Sequence, residues 1–252
     1  LNIRKHIPNT ITLGNLFCGC LAIVSAFKGD LDWTAYFVGI ALILDFFDGF
    51  TARMLKVSSA IGKDLDSLAD MVTFGVVPGV VMYHVIYNSI NNDYSGEYIQ
   101  YKLHLSPVSE IIPYLGFIIT IFSCIRLAKF NNDTRQSDSF IGLPTPANAM
   151  VICSIPLIFH FQAHLHSVIS LLINLPALIL ITLLMSYLLV AEIPLFALKF
   201  KSFGWKENKL VYLFLVASLA ILLSLKFIGI ALVIFLYILL SIVNNIFLKN
   251  KV

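Results

Sequence analysis

"DFFDGFTARMLKVSSAIGKDLDSLAD", residues 45–70, sets four aspartates, Asp45, Asp48, Asp66 and Asp70, into a chain that is otherwise strongly apolar. Asp45 and Asp48 stand three apart and Asp66 and Asp70 four apart, so each pair shares one face of a helix. The intervening "GFTARMLKVSSAIGK" predicts a turn of fifteen residues between two antiparallel helices. The four carboxylates then converge in one cleft. Each costs roughly 2.5–3.5 kcal/mol to hold at the centre of a helix in hydrocarbon, so the cluster is expected to bind something.

The rest of the chain makes that hydrocarbon the expected surroundings. Hydrophobic residues form 59% of the 252 and charged residues 12%, against about 25% charged in soluble domains. Apolar runs predict eight spans, at 10–27, 33–51, 68–88, 108–128, 144–161, 168–190, 210–227 and 229–247, each long enough to cross about 30 Å as a helix. The expected fold is all-α, a polytopic membrane bundle of eight helices forming one domain over 1–252. A core at 8–195 is followed by a helix pair at 210–247. The run after "IRKH" has features of a signal peptide, but seven further spans make it a first transmembrane helix.

Fourteen Lys and Arg fall in loops or at span ends on one side of this arrangement, and three (Lys28, Lys102 and Lys226) on the other. The positive-inside rule then places both termini and the aspartates on the cytoplasmic side of the cell membrane. The polar connections are 89–107, 129–143 and 191–209, the last suited to an anionic leaflet surface. Cys18, Cys20, Cys124 and Cys153 all fall within spans without C-x-x-C spacing, and read as small packing residues.

Four carboxylates brought together repel one another, and hard divalent cations relieve that repulsion. Oxygen donors suit Mg²⁺, Mn²⁺ or Ca²⁺, whereas zinc would call for His or Cys. Two such ions would grip a diphosphate and steady both its attacking and leaving oxygens. Gly49, Ala52 and Gly62 leave room for a ligand beside the carboxylates, and Arg53 suits phosphate. The competing reading is a salt-bridged helix–turn–helix, with the acids paired to Arg53, Lys56 and Lys63.

The stretch also reads D-x-x-D-G-x-x-A-R, eight residues, then G-x-x-x-D-x-x-x-D, from Asp45 to Asp70. This resembles the signature of the CDP-alcohol phosphatidyltransferase family, integral membrane enzymes of phospholipid synthesis. The resemblance implies a dimetal centre of Mg²⁺ or Mn²⁺ held by Asp45, Asp48, Asp66 and Asp70, with Asp70 as general base. It further implies that Gly49, Ala52, Arg53 and Gly62 line the CDP site, and that the enzyme is a homodimer.

"PNTITLGNLFCGCLAI" (8–23), "DSLADMVTFGVVPG" (66–79), "RLAKFN" (126–131) and "FIGLPTPANA" (140–149) are similar to the phosphatidylserine synthase branch of that family. Serine is then the expected acceptor, and CDP-diacylglycerol or an archaeal ether lipid such as CDP-archaeol the donor. Arg126 and Lys129 would bind the serine carboxylate, Arg being the better bidentate partner. Members of the branch commonly carry Arg at the place of Lys129 and a small residue at that of Asn148. Glycerol 3-phosphate, inositol or its phosphate, and choline remain alternative acceptors.

"HFQAHLH" gathers His160, His164 and His166 at the end of the fifth span away from the aspartates, and reads as interfacial. Pro78, Pro113, Pro156, Pro176 and Pro194 are expected to kink or end helices. Two other classes also hold aspartates in membranes. Intramembrane prenyltransferases separate their two acidic motifs widely, and cation-coupled transporters set carboxylates near the bilayer midplane. Neither pattern matches 45–70.

Overall fold

Helix α1 (His6–Phe27) and helix α2 (Leu31–Leu55) lie antiparallel, because the face of α1 turned inward is made of small residues. Pro8, Thr12, Asn15, Cys18, Gly19, Ala22 and Ala26 are its buried positions, and small side chains let membrane helices approach closely. The structure, a computed structural model, describes residues 6–57, 59–91, 107–133, 140–196 and 205–249. The expected loop features at 92–106, at 134–139 (with Arg135) and at 197–204 lie outside the described residues.

The fifteen-residue turn is not what forms. "GFTARML" contains nothing that stops a helix, so α2 runs through Asp45, Asp48, Ala52 and Arg53 and ends at Leu55. Lys56 then adopts a left-handed conformation (φ 52°), and Val57 N–H bonds the Ala52 carbonyl at 3.0 Å. Ser59 starts the next helix, accepting from Gly62 N–H at 3.0 Å, a helix N-cap. The connection is thus a short turn between two helix caps.

Helix α3 (Ala60–Asp70) continues through a π-helical segment (Met71–Val76) into α4 (Val77–Asn91). The three form one continuous rod, exposed at its start and deeply buried from Ala69 onward. Thr73 Oγ1 donates to the Asn15 carbonyl at 3.3 Å, and a Cβ on Gly19 would collide with the Thr73 side chain. Only glycine permits this approach of α1 to the π segment.

The chain returns through α5 (Pro107–Ile111), a 3₁₀ turn (Ile112–Phe117) and α6 (Ile118–Asn132). Thr120 Oγ1 donates to the Gly75 carbonyl at 3.0 Å, fastening α6 to the π segment. Strand β1 (Phe140–Ile141) pairs antiparallel with β2 (Pro194–Leu195). Gly142 (φ +77°) packs so tightly that a Cβ there would stand 2.8 Å from the Leu189 carbonyl oxygen. Helix α7 (Thr145–Phe161) follows, with Pro156 inside it.

The expected span at 168–190 is a bent pair, α8 (His166–Leu172) and α9 (Leu175–Val190), turned by 76°. Asn174 caps α9 through Ala177 N–H, and Pro176 in its first turn cannot continue a preceding helix.

Helix α10 (Trp205–Lys249) has 45 residues, about 68 Å if straight, or twice the hydrocarbon thickness. It reverses instead. Lys226 leaves helical geometry (φ 50°, ψ −123°), and a Cβ on Gly229 would sit 3.0 Å from the Ile221 carbonyl oxygen. Gln162, buried at the end of α7, holds the reversal from both sides. Its Nε2 donates to the Leu225 carbonyl at 3.0 Å, and its Oε1 accepts from Ile228 N–H at 3.1 Å. Asn245 comes back to donate to the Pro194 carbonyl.

All eight expected segments are therefore helical, the last two being the limbs of α10. Among the described residues five helices pass as spans on length and apolarity, six with the bent pair, and α7 is a shorter apolar helix. The cysteines are free, Cys18 and Cys153 buried, Cys20 and Cys124 exposed. At the end away from the aspartates, His160 Nδ1 meets the carboxylate of Asp32 and ties α7 to α2.

Candidate active site

Asp45 and Asp48 project from the last three turns of α2, Asp66 and Asp70 from the last two turns of α3. Carboxylate oxygens of Asp45, Asp48 and Asp66 all lie within 4.8 Å of one another. The carboxyl of Asp70 reaches hydrogen-bonding contact with that of Asp45. Asp48 and Asp70 are buried, whereas Asp45 and Asp66 are half-buried and form the open side of the cleft. All four sequence-predicted aspartates meet.

Two carboxyls in contact need a shared proton or a cation between them. The donor set is hard oxygen throughout and fits a divalent ion of the Mg²⁺, Mn²⁺ or Ca²⁺ type. Among the described residues no histidine or cysteine joins it. Nor do the neighbouring cations neutralise it. Arg53, Lys56 and Lys63 are exposed and make no salt bridge among the described residues, and Lys63 Nζ donates to the Asn131 carbonyl at 2.9 Å instead. A salt-bridged helix–turn–helix is not what the cluster is.

Helix α1 supplies two residues that sequence reasoning passed over. Thr12 Oγ1 donates to Asp48 Oδ2 at 2.6 Å, and Asn15 Nδ2 donates to Asp70 Oδ1 at 3.3 Å. Both are buried, and each fixes a carboxylate whose orientation decides what it can bind. A signal was present: Thr12 and Asn15 are polar residues three apart in an apolar span, so they share a helix face.

Gly49 and Ala52 are half-buried beside the cluster, and a Cβ on Gly49 would meet nothing within 4 Å. Space for a ligand therefore lies against that part of α2. Gly62 instead faces a close contact, where a Cβ would stand 3.0 Å from Ser59 Oγ and 3.1 Å from Asn9 Oδ1.

Arg126 on α6 is 7% exposed and within electrostatic reach of Asp70. Its guanidinium lies 4.8 Å from the centre of the Phe130 ring and makes no salt bridge among the described residues. Lys129, three residues on, is exposed. The structure thus brings Arg126, but not Lys129, into the interior beside the aspartates. Asn131 Nδ2 donates to Ser67 Oγ at 2.8 Å, holding the end of α6 against α3.

Comparison with known proteins agrees with this geometry. A CDP-diacylglycerol–serine O-phosphatidyltransferase of Bacillus subtilis (strain 168) is 36% identical over 148 residues, 59% of this chain and 73% of that protein. One of the same name from Helicobacter pylori (strain J99 / ATCC 700824) is 34% identical over 154 residues, 60% of this chain and 57% of that protein. An archaetidylserine synthase of Methanothermobacter thermautotrophicus is 29% identical over 150 residues, 59% of this chain and 56% of that protein. The chain thus spans little more than half the length of the last two. The family model described as CDP-alcohol phosphatidyltransferase matches residues 5–185, the part of the chain that carries every residue of the cleft, and the chain belongs to that family of membrane enzymes.

Proposed function

We propose that the chain transfers the phosphatidyl group of CDP-diacylglycerol to the hydroxyl of L-serine, giving phosphatidylserine and CMP. The observation that carries this reading is the convergence of Asp45, Asp48, Asp66 and Asp70 with a buried Arg126 beside them that makes no salt bridge among the described residues. An acidic cluster with a cation alongside suits a diphosphate donor bridged by metal and an acceptor bearing a carboxylate.

In this reading Asp45, Asp48, Asp66 and Asp70 hold two Mg²⁺ or Mn²⁺ ions. Such ions supply charge neutralisation of the diphosphate and of the departing CMP. The space against Gly49 and Ala52 receives the nucleotide, with Arg53 and Gly62 at its edge. The exposed rings of Phe46, Phe47 and Phe50 on α2 face the bilayer, where the acyl chains of the donor lie. Arg126 binds the serine carboxylate through its planar fork, and Lys129 attracts the acceptor from the surface.

The serine Oγ attacks the lipid-bearing phosphorus. An O–P bond forms, the P–O bond to CMP breaks, and the serine hydroxyl proton passes to Asp70. A carboxylate is too weak a base to ionise an alcohol beforehand, so the proton moves within the transition state. Asn15 keeps Asp70 turned toward it. The cleft opens to the cytoplasm, where CDP and serine are found, and a second copy of the chain completes a homodimer.

The test is CMP release by purified protein given CDP-diacylglycerol, Mg²⁺ or Mn²⁺, and one alcohol at a time. Release that needs both serine and metal, and that Asp70→Asn abolishes, is expected. Release with glycerol 3-phosphate or inositol phosphate alone would keep the chemistry and discard serine. Activity only with CDP-archaeol would favour the ether-lipid donor, which the archaetidylserine synthase similarity brings into consideration.

A further inference from the structure

Among the described residues six buried side-chain polar atoms lack any hydrogen-bond partner, and five belong to Asn15, Ser123, Thr145 and Asn148. Asn148 accounts for two, its Oδ1 and Nδ2 both. Buried polar groups are almost always paired, because leaving one unmade costs its full desolvation. Four such residues in a small bundle point to a polar ligand that completes them.

Helix geometry sets Asn148 and Arg126 at the depth of the aspartates. Helices α2 and α7 run antiparallel and meet at their far ends through Asp32 and His160. Asp45 lies thirteen residues from Asp32 and Asn148 twelve from His160, about 20 Å and 18 Å along the respective axes. Asn148 therefore stands level with Asp45. By the same measure α6 meets the π segment where Thr120 bonds Gly75. Arg126 is six residues beyond Thr120, and Asp70 five from Gly75, about 9 Å and 8 Å toward the same end.

Thr145, Asn148 and Ile152 share a face of α7 and are each 0% exposed, whereas Pro146, Ala147 and Met150 on the other side are half-buried. The Thr145–Asn148 face thus looks into the bundle.

We infer that Thr145 and Asn148 complete the acceptor subsite with Arg126, reading the ammonium group of an amino-acid acceptor. The inference rests on the serine reading above. Serine is a zwitterion, and Arg126 has only donors, so it can take the carboxylate but not the ammonium. Asp70 is committed to Asn15 and to the aspartate cluster. The ammonium needs neutral acceptors, and Thr145 Oγ1 and Asn148 Oδ1 are buried acceptors with none of their capacity used. The Asn148 Nδ2 donor remains for the carboxylate.

The experiment compares Asn148→Ala and Thr145→Val with the unaltered enzyme, measuring KM for L-serine, KM for CDP-diacylglycerol and the thermal midpoint of the ligand-free protein in detergent. Each variant is expected to raise the serine KM by roughly tenfold or more, as loss of a buried hydrogen bond to substrate does, with the CDP-diacylglycerol KM within about twofold of wild type. Thr145→Val, which deletes an unpaired hydroxyl while keeping shape, should not lower the midpoint. An unmoved serine KM in both variants would overturn the subsite. So would a fall in midpoint with both KM values rising together, the mark of a packing role. Failure of the unaltered enzyme to turn over serine sinks the serine reading and the subsite with it. Turnover with an unmoved KM sinks the subsite alone.

Discussion

Asn15 and Thr12 occupy the otherwise apolar inner face of α1, and each spends a hydrogen bond on one aspartate. Groups of this kind fix the direction of a metal-binding carboxylate, and removing them costs about 10- to 100-fold in metal affinity or activity. Thr12→Val is expected to raise the Mg²⁺ concentration for half-maximal activity by about that factor, read from a metal titration of CMP release. Asn15→Ala acts on Asp70, the proposed proton acceptor, and should lower kcat by a similar factor while the serine KM stays within about twofold. A uniform loss of folded protein in place of these separate signatures would make both residues merely structural. The aspartates were legible in the sequence because four costly carboxylates fell within twenty-six residues. Asn15 was not, since its partner Asp70 lies 55 positions away and a single amide in an apolar span has many uses. Arg126 was legible as a cation but not as a buried one, and its burial is what separates it from Lys129.

At the scale of elements, apolar length located all eight helical segments, because every backbone group in hydrocarbon must be satisfied within its own helix. Composition could not show where helices stop inside polar stretches. The turn between the aspartate pairs contracts because "GFTARML" favours continued helix and Ser59 provides the next cap. The π segment has no compositional signal of its own, yet it sets how Asp70 meets α1. That contact predicts two unequal outcomes. Gly19→Val forces a side chain into Thr73 and should destabilise by about 1–3 kcal/mol, the usual cost of overpacking. It should also depress activity beyond what the lost folded fraction explains, because it displaces the segment that follows Asp70. Ser59→Ala removes an N-cap worth about 1 kcal/mol in an exposed turn, and should lower the thermal midpoint with near-normal kcat in the folded fraction. Equal activity losses in the two variants would mean that the π segment has no special coupling to the site.

For the whole molecule the open question of direction has a physical answer that can be checked. The aspartate cleft, the capped turn at 56–59 and the returning end of α10 share one end of the bundle. The Asp32–His160 pair and the reversal at Lys226 share the other. Thirteen of the fourteen basic residues counted on the first side lie outside the spans or at their margins, and Lys226 falls on the second. Translocating so many cations is unfavourable, so the positive-inside rule predicts a cytoplasmic cleft, the direction the proposed function requires. Single-cysteine variants, built after Cys18, Cys20, Cys124 and Cys153 are changed to Ala, report on this directly. Ala60→Cys sits at the exposed start of α3 and Lys226→Cys at the exposed reversal of α10. In intact cells a membrane-impermeant maleimide is expected to label Lys226→Cys and spare Ala60→Cys, with the pattern inverted in inside-out vesicles. Labelling of Ala60→Cys from outside would put the cleft on the far side of the membrane from its CDP-linked donor's headgroup and from the serine pool. The proposed reaction could not then run as written, whatever the geometry of its residues.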